Sequence, residues 1–279
     1  MIKTQLEKIH PHLEVEIKII KTKGDKILNK PIHKIGDKGI FVKEIESSLL
    51  NGTIDLAVHS MKDMPGEITP GLKFVNPPKG EDPRDVFIGH GPLTNLSKLE
   101  HALIGTGSLR REMQLKHLLP ELQTVPIRGN IETRMKKIKT EDLDGIILAK
   151  AGILRAGYTQ EIDYTFSIEE MIPAPCQGIL ALQIREDDET LKELLEPIAD
   201  KETTLRYEAE RAFQKELNAG CHSPMGVYAM IDNDKIKIKA CFGDATRNIF
   251  IRDEVEGLVE NRVSLAKSLA KALKEAVNE

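Results

Sequence analysis

The sequence predicts an α/β protein that closes with an α+β unit. Three observations carry this. Between residues 54 and 155, short apolar runs alternate with helical patterns, and each run opens into a glycine turn or polar loop. A breaker cluster, Pro173-Ala174-Pro175-Cys176-Gln177-Gly178, then interrupts the alternation. Beyond it, strand-like runs at 225–231, 235–242 and 249–256 lie between two helical patterns. The first part reads as doubly wound, the last as a small antiparallel meander with helices on one face.

Ile2, Leu6 and Ile9 recur at helical spacing, and His10-Pro11 ends that helix. Leu13, Val15, Ile17 and Ile19 alternate with Glu14, Glu16 and Lys18, which predicts a strand with one buried face. A helix leading into such a strand is normally a crossover from an earlier strand, so the pattern expects one ahead of it. A charged loop at 21–25 follows. Phe41, Ile45, Leu49 and Leu50 mark a helix that Asn51-Gly52 closes. The run 54–58 is a buried strand, and His59-Ser60-Met61-Lys62-Asp63 stands at its end, where binding groups gather in open α/β sheets. Glu81-Asp82-Pro83-Arg84-Asp85 reads as a crossing between domains.

Ala102-Leu103-Ile104 predicts a strand entering Gly105-Thr106-Gly107-Ser108, with Ser108 as the helix N-cap. Val125-Pro126-Ile127 enters Arg128-Gly129-Asn130 in the same way, ahead of a helix around Thr133 and Met135. The run 145–149 is a further buried strand, followed by a helix bearing Arg155. Leu205, Ala209, Phe213 and Leu217 share one face of a helix over 203–217, and Leu265, Leu269, Leu273 and Val277 mark the last helix.

A chain of 279 residues accommodates two or three domains. Its net charge of −4, 4% aromatic content and lack of tryptophan argue against a nucleic-acid surface. No apolar run reaches the roughly 20 residues of a membrane span, and no secretory leader is legible. Cys176, Cys221 and Cys241 are odd in number and lack CxxC spacing, which argues against a disulfide framework or structural zinc site and fits a reducing cytoplasm. The histidines lack ligand spacing, so no metal site is expected.

Arg110 and Arg111 fall in the first turn of a helix behind a glycine loop, where orphan N–H groups already favour anions. Arginine adds a fork of donors that matches a carboxylate. Arg128, Arg134 and Arg155 occupy comparable strand-to-helix positions. Any one of these, alone, reads best as a solvated helix arginine; their recurrence at one end of consecutive strands does not. Asp63 could accept N–H bonds, stabilise developing positive charge or shuttle protons. His59-Ser60 lacks the Gly-x-Ser-x-Gly elbow of a hydrolase. Cys221 lies in a loop between Gly220 and Pro224, open to covalent attachment, although a lone cysteine is more often a small hydrophobe.

In order along the chain stand His59-Ser60-Met61-Lys62-Asp63, Gly105-Thr106-x-Ser108-Leu109-Arg110-Arg111, Arg128-Gly129-Asn130-x-x-Thr133-Arg134, Asp144-Gly145-Ile146-Ile147-Leu148-Ala149 and Ala219-Gly220-Cys221. This ordered set closely resembles the porphobilinogen deaminase (hydroxymethylbilane synthase) family over essentially the whole chain. The resemblance implies two periplasmic-binding-protein-like doubly wound domains and a small C-terminal antiparallel-sheet domain. It places domain 1 at 1–78 and 179–200, domain 2 at 79–178 and domain 3 at 201–279. It implies a dipyrromethane cofactor on Cys221 through a thioether. Four porphobilinogen molecules would be joined head to tail, releasing ammonia, to give hydroxymethylbilane in tetrapyrrole biosynthesis. Lys62, Arg110, Arg111, Arg128, Arg134 and Arg155 would bind the pyrrole carboxylates. Asp63 would be the central acid/base and cation stabiliser, helped by Ser108 and the Gly129 backbone. Lys38 and Lys43 match a loop bordering the cleft, and the family implies a monomer.

By the same resemblance Met1 aligns inside the first helix, about twenty residues past the family's usual start. The expected consequences are a missing central strand, two fewer ligand-binding side chains and impaired folding or turnover. Cys176 stands where the family usually has glycine. The competing reading is a two-lobed receptor for an anionic small molecule without catalysis. The presence of both Asp63 and Cys221 favours the enzyme, since simple capture needs neither.

Overall fold

The computed structural model describes residues 1–20, 22, 42–218 and 223–279. The helices in chain order are α1 (Ile2–Ile9), α2 (Lys43–Leu50), α3 (Leu109–Leu118), α4 (Ile131–Thr140), α5 (Lys150–Arg155), α6 (Glu189–Leu195), α7 (Lys201–Leu217) and α8 (Arg262–Asn278). The strands are β1 (Ala57–Ser60), β2 (Leu72–Phe74), β3 (Asp85–Gly89), β4 (Leu103–Gly105), β5 (Gln123–Val125), β6 (Gly145–Ala149), β7 (Tyr164–Thr165), β8 (Leu180–Arg185), β9 (Gly226–Asp232), β10 (Lys235–Asp244) and β11 (Ile249–Leu258). Among the described residues these strands form three sheets, ordered β1-β8-β2, β5-β4-β6-β3-β7 and β11-β10-β9.

The middle sheet explains why its strands read as continuous apolar runs. Phe87, Ile104 and Ile147 face a core shared with Leu115, Leu119 and Phe166. Val86, Ile88, Ile146 and Leu148 face the opposite one, with Ile127, Ile138 and Ile153. Both faces are covered, so period-two alternation disappears. β4 pairs in parallel with β5 and β6, whereas β3 runs antiparallel to β6 and β7. The doubly wound layer is therefore mixed. Gly89 and Gly145 face each other across β3 and β6, and a Cβ at Gly145 would stand 2.3 Å from the Phe87 ring.

In the first sheet, β8 is the central strand and pairs antiparallel with β1 and β2. The chain thus leaves for the middle sheet after β2 and returns for β8, crossing at 81–85 and 173–178. The strand expected at 13–19 is not found: residues 13–20 have no ladder partner among the described residues. Leu13 and Val15 still pack beside Leu6, Leu182 and Ile184, while Ile17 and Ile19 are 69% and 86% exposed. The alternation of side chains is there, but a strand also needs a neighbour to satisfy its N–H and C=O groups.

The third sheet is the expected meander, β9-β10-β11, antiparallel throughout. α7 and α8 pack together on one face, burying Ala209, Phe213, Leu217, Leu269 and Leu273 against Val227, Ile236 and Ile238. Asp200 caps α7 by accepting from Thr203 N at 2.8 Å. The α7 terminus reaches left-handed Asn218 (φ 48°), just ahead of Cys221, which lies outside the described residues.

Candidate active site

The functional side chains converge where the turn after β1 meets the carboxyl ends of β4, β5 and β6. Lys62, Arg111, Gly129, Asn130, Ile131, Arg134, Leu148, Ala149 and Gly152 line a cavity of about 210 Å³ there. Lys62 and Asp63 lie on a single 3-10 turn, Met61–Asp63, anchored by Met61 N donating to Ile179 O at 3.0 Å. Burial pulls the Lys62 ammonium down to about 8; Asp63 and Asp85 oppose that fall, and Arg111 and Arg110 add to it. Asp63 is exposed and within electrostatic reach of Lys62, Arg111 and Arg134.

Arg110 and Arg111, in the first turn of α3, are buried, as arginines seldom are unless paired. Their shared partner is Asp85, the first residue of β3. Arg111 donates to Asp85 Oδ1 from Nε (3.1 Å) and Nη2 (2.8 Å), and its Nη1 donates to Ile147 O at 2.8 Å. Asp85 Oδ2 stands 2.8 Å from Arg110 Nη1, which also donates to Ile172 O at 2.7 Å. Burial acts to raise the Asp85 carboxyl, but the two guanidiniums outweigh it and hold the group well below the usual carboxylate range. Arg111 reaches the cavity. Arg110 stands behind it, outside the cavity lining, with its Nη1 turned to Asp85 and Ile172 O.

The turn before α4 is built for close approach. Gly129 has φ 121°, and a Cβ on it would come within 2.6 Å of Thr133 Cγ2. Asn130 caps α4 through Thr133 N at 2.8 Å, and Arg134 Nε donates to Gly129 O at 2.7 Å. Burial, then Arg111, lowers the Arg134 guanidinium, with Asp63 opposing and Arg128 adding. Arg128 is half-buried beside this group. Ser108 occupies the N-cap position of α3 as expected, but its side chain makes no cap hydrogen bond; Ser108 N instead donates to Thr106 Oγ1 at 3.3 Å.

Arg155 donates to Gly178 O at 2.6 Å, on the returning crossing rather than in the cavity wall. Lys43 is exposed in the first turn of α2. Cys221 and Lys38 lie outside the described residues. His59 is engaged with Gln183 Oε1 at 3.0 Å. Among the described residues no His, Cys, Asp and Glu group has the geometry of a metal site, and no helix is long and apolar enough to cross a membrane.

Sequence reasoning missed Asp85, Gln177, Arg206 and Glu210. Glu210 is fully buried, pairs with Arg206 at 2.9 Å and accepts from Cys176 N (2.5 Å) and Ala229 N (3.2 Å). Asp85 and Gln177 sit inside the two breaker clusters, and charged or amide residues within a crossing were the available signal.

A cationic cavity between two α/β layers, with a carboxylate at its edge, defines a site for a polyanionic ligand. The comparisons make this particular. Residues 1–193 match the family model described as porphobilinogen deaminase, dipyromethane cofactor binding domain, and residues 204–275 match the porphobilinogen deaminase C-terminal domain. A porphobilinogen deaminase of Clostridioides difficile (strain 630) is 46% identical over 98% of this chain and 92% of its own. One from Clostridium novyi (strain NT) is 44% identical over 98% and 93%. An ancestral cationic amino acid solute binding protein overlaps 70% of this chain and 76% of its own at 16% identity and a TM-score of 0.40, too loosely to carry an argument. The chain belongs to the porphobilinogen deaminase family. It is a transferase of tetrapyrrole biosynthesis with dipyrromethane as its cofactor.

Proposed function

We propose that the cavity lined by Lys62, Arg111 and Arg134 binds the acetate and propionate groups of porphobilinogen and of the growing chain, and that Asp63 is the catalytic residue. Dipyrromethane, held on Cys221, supplies the pyrrole carbon at which the chain is extended. The donor set fits such a group: forked guanidiniums and an ammonium match carboxylates, and open Gly129 backbone admits a planar ring. Lys62, Arg111 and Arg134 bind and orient the carboxylates. Arg128 adds positive charge at the rim, and Ser108 offers its hydroxyl. Arg110 acts behind Arg111, and Arg155 ties α5 to the crossing. As ammonia leaves porphobilinogen, positive charge develops on the substrate, and Asp63 stabilises it and takes the proton released when the new carbon–carbon bond forms.

The single observation behind this reading is the position of Asp63, an exposed carboxylate within reach of three cations beside the cavity. We further read the chain as three domains with the boundaries given above, acting as a cytoplasmic monomer without nucleic-acid or membrane partners. The test is Asp63→Asn, assayed for porphobilinogen consumption after its cofactor adduct has been verified by mass. The expected loss in kcat is about a hundredfold or more with the adduct retained; turnover within threefold of the parent would overturn the role.

A further inference from the structure

Gln177 sits in the returning crossing, 1% exposed, with every polar atom of its side chain engaged. Its Nε2 donates to Pro83 O (2.6 Å) and to Asp85 Oδ1 (2.9 Å). Those two acceptors use both amide hydrogens and fix which way the carboxamide points. Its Oε1 is thereby left to accept from Lys62 Nζ, at 3.3 Å. Gln177 O accepts from Arg206 Nη2 at 2.5 Å, which fastens the crossing to α7. One side chain thus joins the turn after β1, where Lys62 lies, to the carboxylate that holds Arg111.

The chemistry of an amide suits this place. A carboxylate here would stand beside Asp85 and repel it. An apolar side chain would take the amide donor from Pro83 O and leave Asp85 Oδ1 with its two Arg111 bonds alone. A neutral amide satisfies both neighbours without adding charge. We propose that Gln177 is a positioning residue for the reaction, locking the Lys62 ammonium to the Asp85–Arg111 pair so that both cations meet the pyrrole carboxylates at a fixed spacing. This rests on the cavity being the pyrrole site. The charged groups facing Lys62 are Asp63, Arg111, Asp85 and Arg110, and Gln177 is the neutral group that bonds both Lys62 and Asp85. Burial already holds the ammonium near 8, so a partner that orients it without a negative charge leaves it titrating close to neutrality.

The experiment compares the full chain with Gln177→Met and Gln177→Glu. Lys62 is followed by competitive acetylation with acetic anhydride across pH 6–11 and peptide mass spectrometry, alongside steady-state kinetics with porphobilinogen. Gln177→Met is expected to raise KM about tenfold with a smaller change in kcat, the loss of one hydrogen bond to a charged group, and to lower the Lys62 labelling midpoint. Gln177→Glu is expected to raise that midpoint, by bringing a carboxylate to the ammonium. Midpoints unmoved in both variants would overturn the proposal, even with activity lost, because a side chain bonded to the ammonium cannot be exchanged for an apolar and then for a charged one without moving its proton affinity in opposite directions. The labelling does not depend on turnover. A parent that fails to consume porphobilinogen would therefore sink the functional reading while the Lys62–Gln177 link is still decided by the midpoints.

Discussion

Replacing Asp85 with asparagine tests the electrostatic frame of the site. Asp85 is fully buried between Arg110 and Arg111, themselves 4% and 6% exposed. The substitution keeps the shape of the side chain and removes the one negative charge that both guanidiniums share. Breaking a buried pair by removing one partner costs about 3–5 kcal/mol. Here two cations are stranded, so the upper half of that range applies. Arg110→Met should cost less, because Asp85 would keep its two bonds from Arg111. The sign with pH follows from the depressed carboxyl. Its stabilising contribution is fully present above the unfolded carboxylate value of about 3.9 and is lost as pH falls from there toward the folded value. Thermal unfolding followed by circular dichroism at pH 7 and about pH 2.5, inside the window where the contribution is being lost, measures this. Asp85→Asn should lower the midpoint by at least about 6 °C at pH 7, and the gap from the parent should narrow in acid as the carboxyl of the unfolded chain takes up its proton before the buried one does. A variant within 1 °C of the parent at pH 7, or a gap that widens in acid, would refute the reasoning.

Lys62 loses its proton near pH 8, so kcat/KM for porphobilinogen should fall above that pH, and Lys62→Met should lose that dependence along with most of the activity. The same depression implies that the folding cost of burying this ammonium is relieved as pH rises from about 8 toward the unfolded value of about 10.4, which denaturant titrations of parent and Lys62→Met would resolve. Glu210→Gln leaves Arg206 buried and unpaired and weakens the caps on Cys176 N and Ala229 N, for an expected loss of about 3 kcal/mol read from the urea midpoint; a loss under 1 kcal/mol would count against it. Cys176→Gly should be tolerated, within about 1 kcal/mol of the parent, since relief of a left-handed backbone offsets the lost thiol packing. A drop of several kcal/mol in the same urea titration would show that the thiol matters more than the backbone.

What the sequence disclosed and what it hid divide along physical lines. Elements with one-sided patterns were legible: α1, α7, α8 and the β9–β11 meander follow their periodicities to within a few residues. β3 and β8 were hidden. β8 is buried on both faces and carries Gln183 at its centre, and β3 begins inside a charged crossing that reads as loop. Residues 13–19 failed in the opposite sense, because alternation specifies faces but not the partner that makes a ladder. For the site, Lys62, Asp63, Arg111 and Arg134 were legible from type and position, and the structure brings them together. Arg110 is assigned to the carboxylates by the resemblance, and folding adds what the sequence hid, that its fork turns to Asp85. Cys176, unexplained in sequence, has φ 59°, the left-handed region where glycine is at ease, which is a physical reason for the glycine that the resemblance expects there. Asp85, Gln177 and Glu210 gain their importance only from what folding places beside them.

The central claim is that Cys221 carries two linked pyrroles in a cleft of cations and extends them. Its most direct test is the intact mass of the purified, denatured chain beside a Cys221→Ser variant, each after incubation with porphobilinogen. The account predicts an added mass equal to two linked pyrrole units on the parent, absent from the variant. An unmodified parent, or the same adduct on both chains, would contradict it.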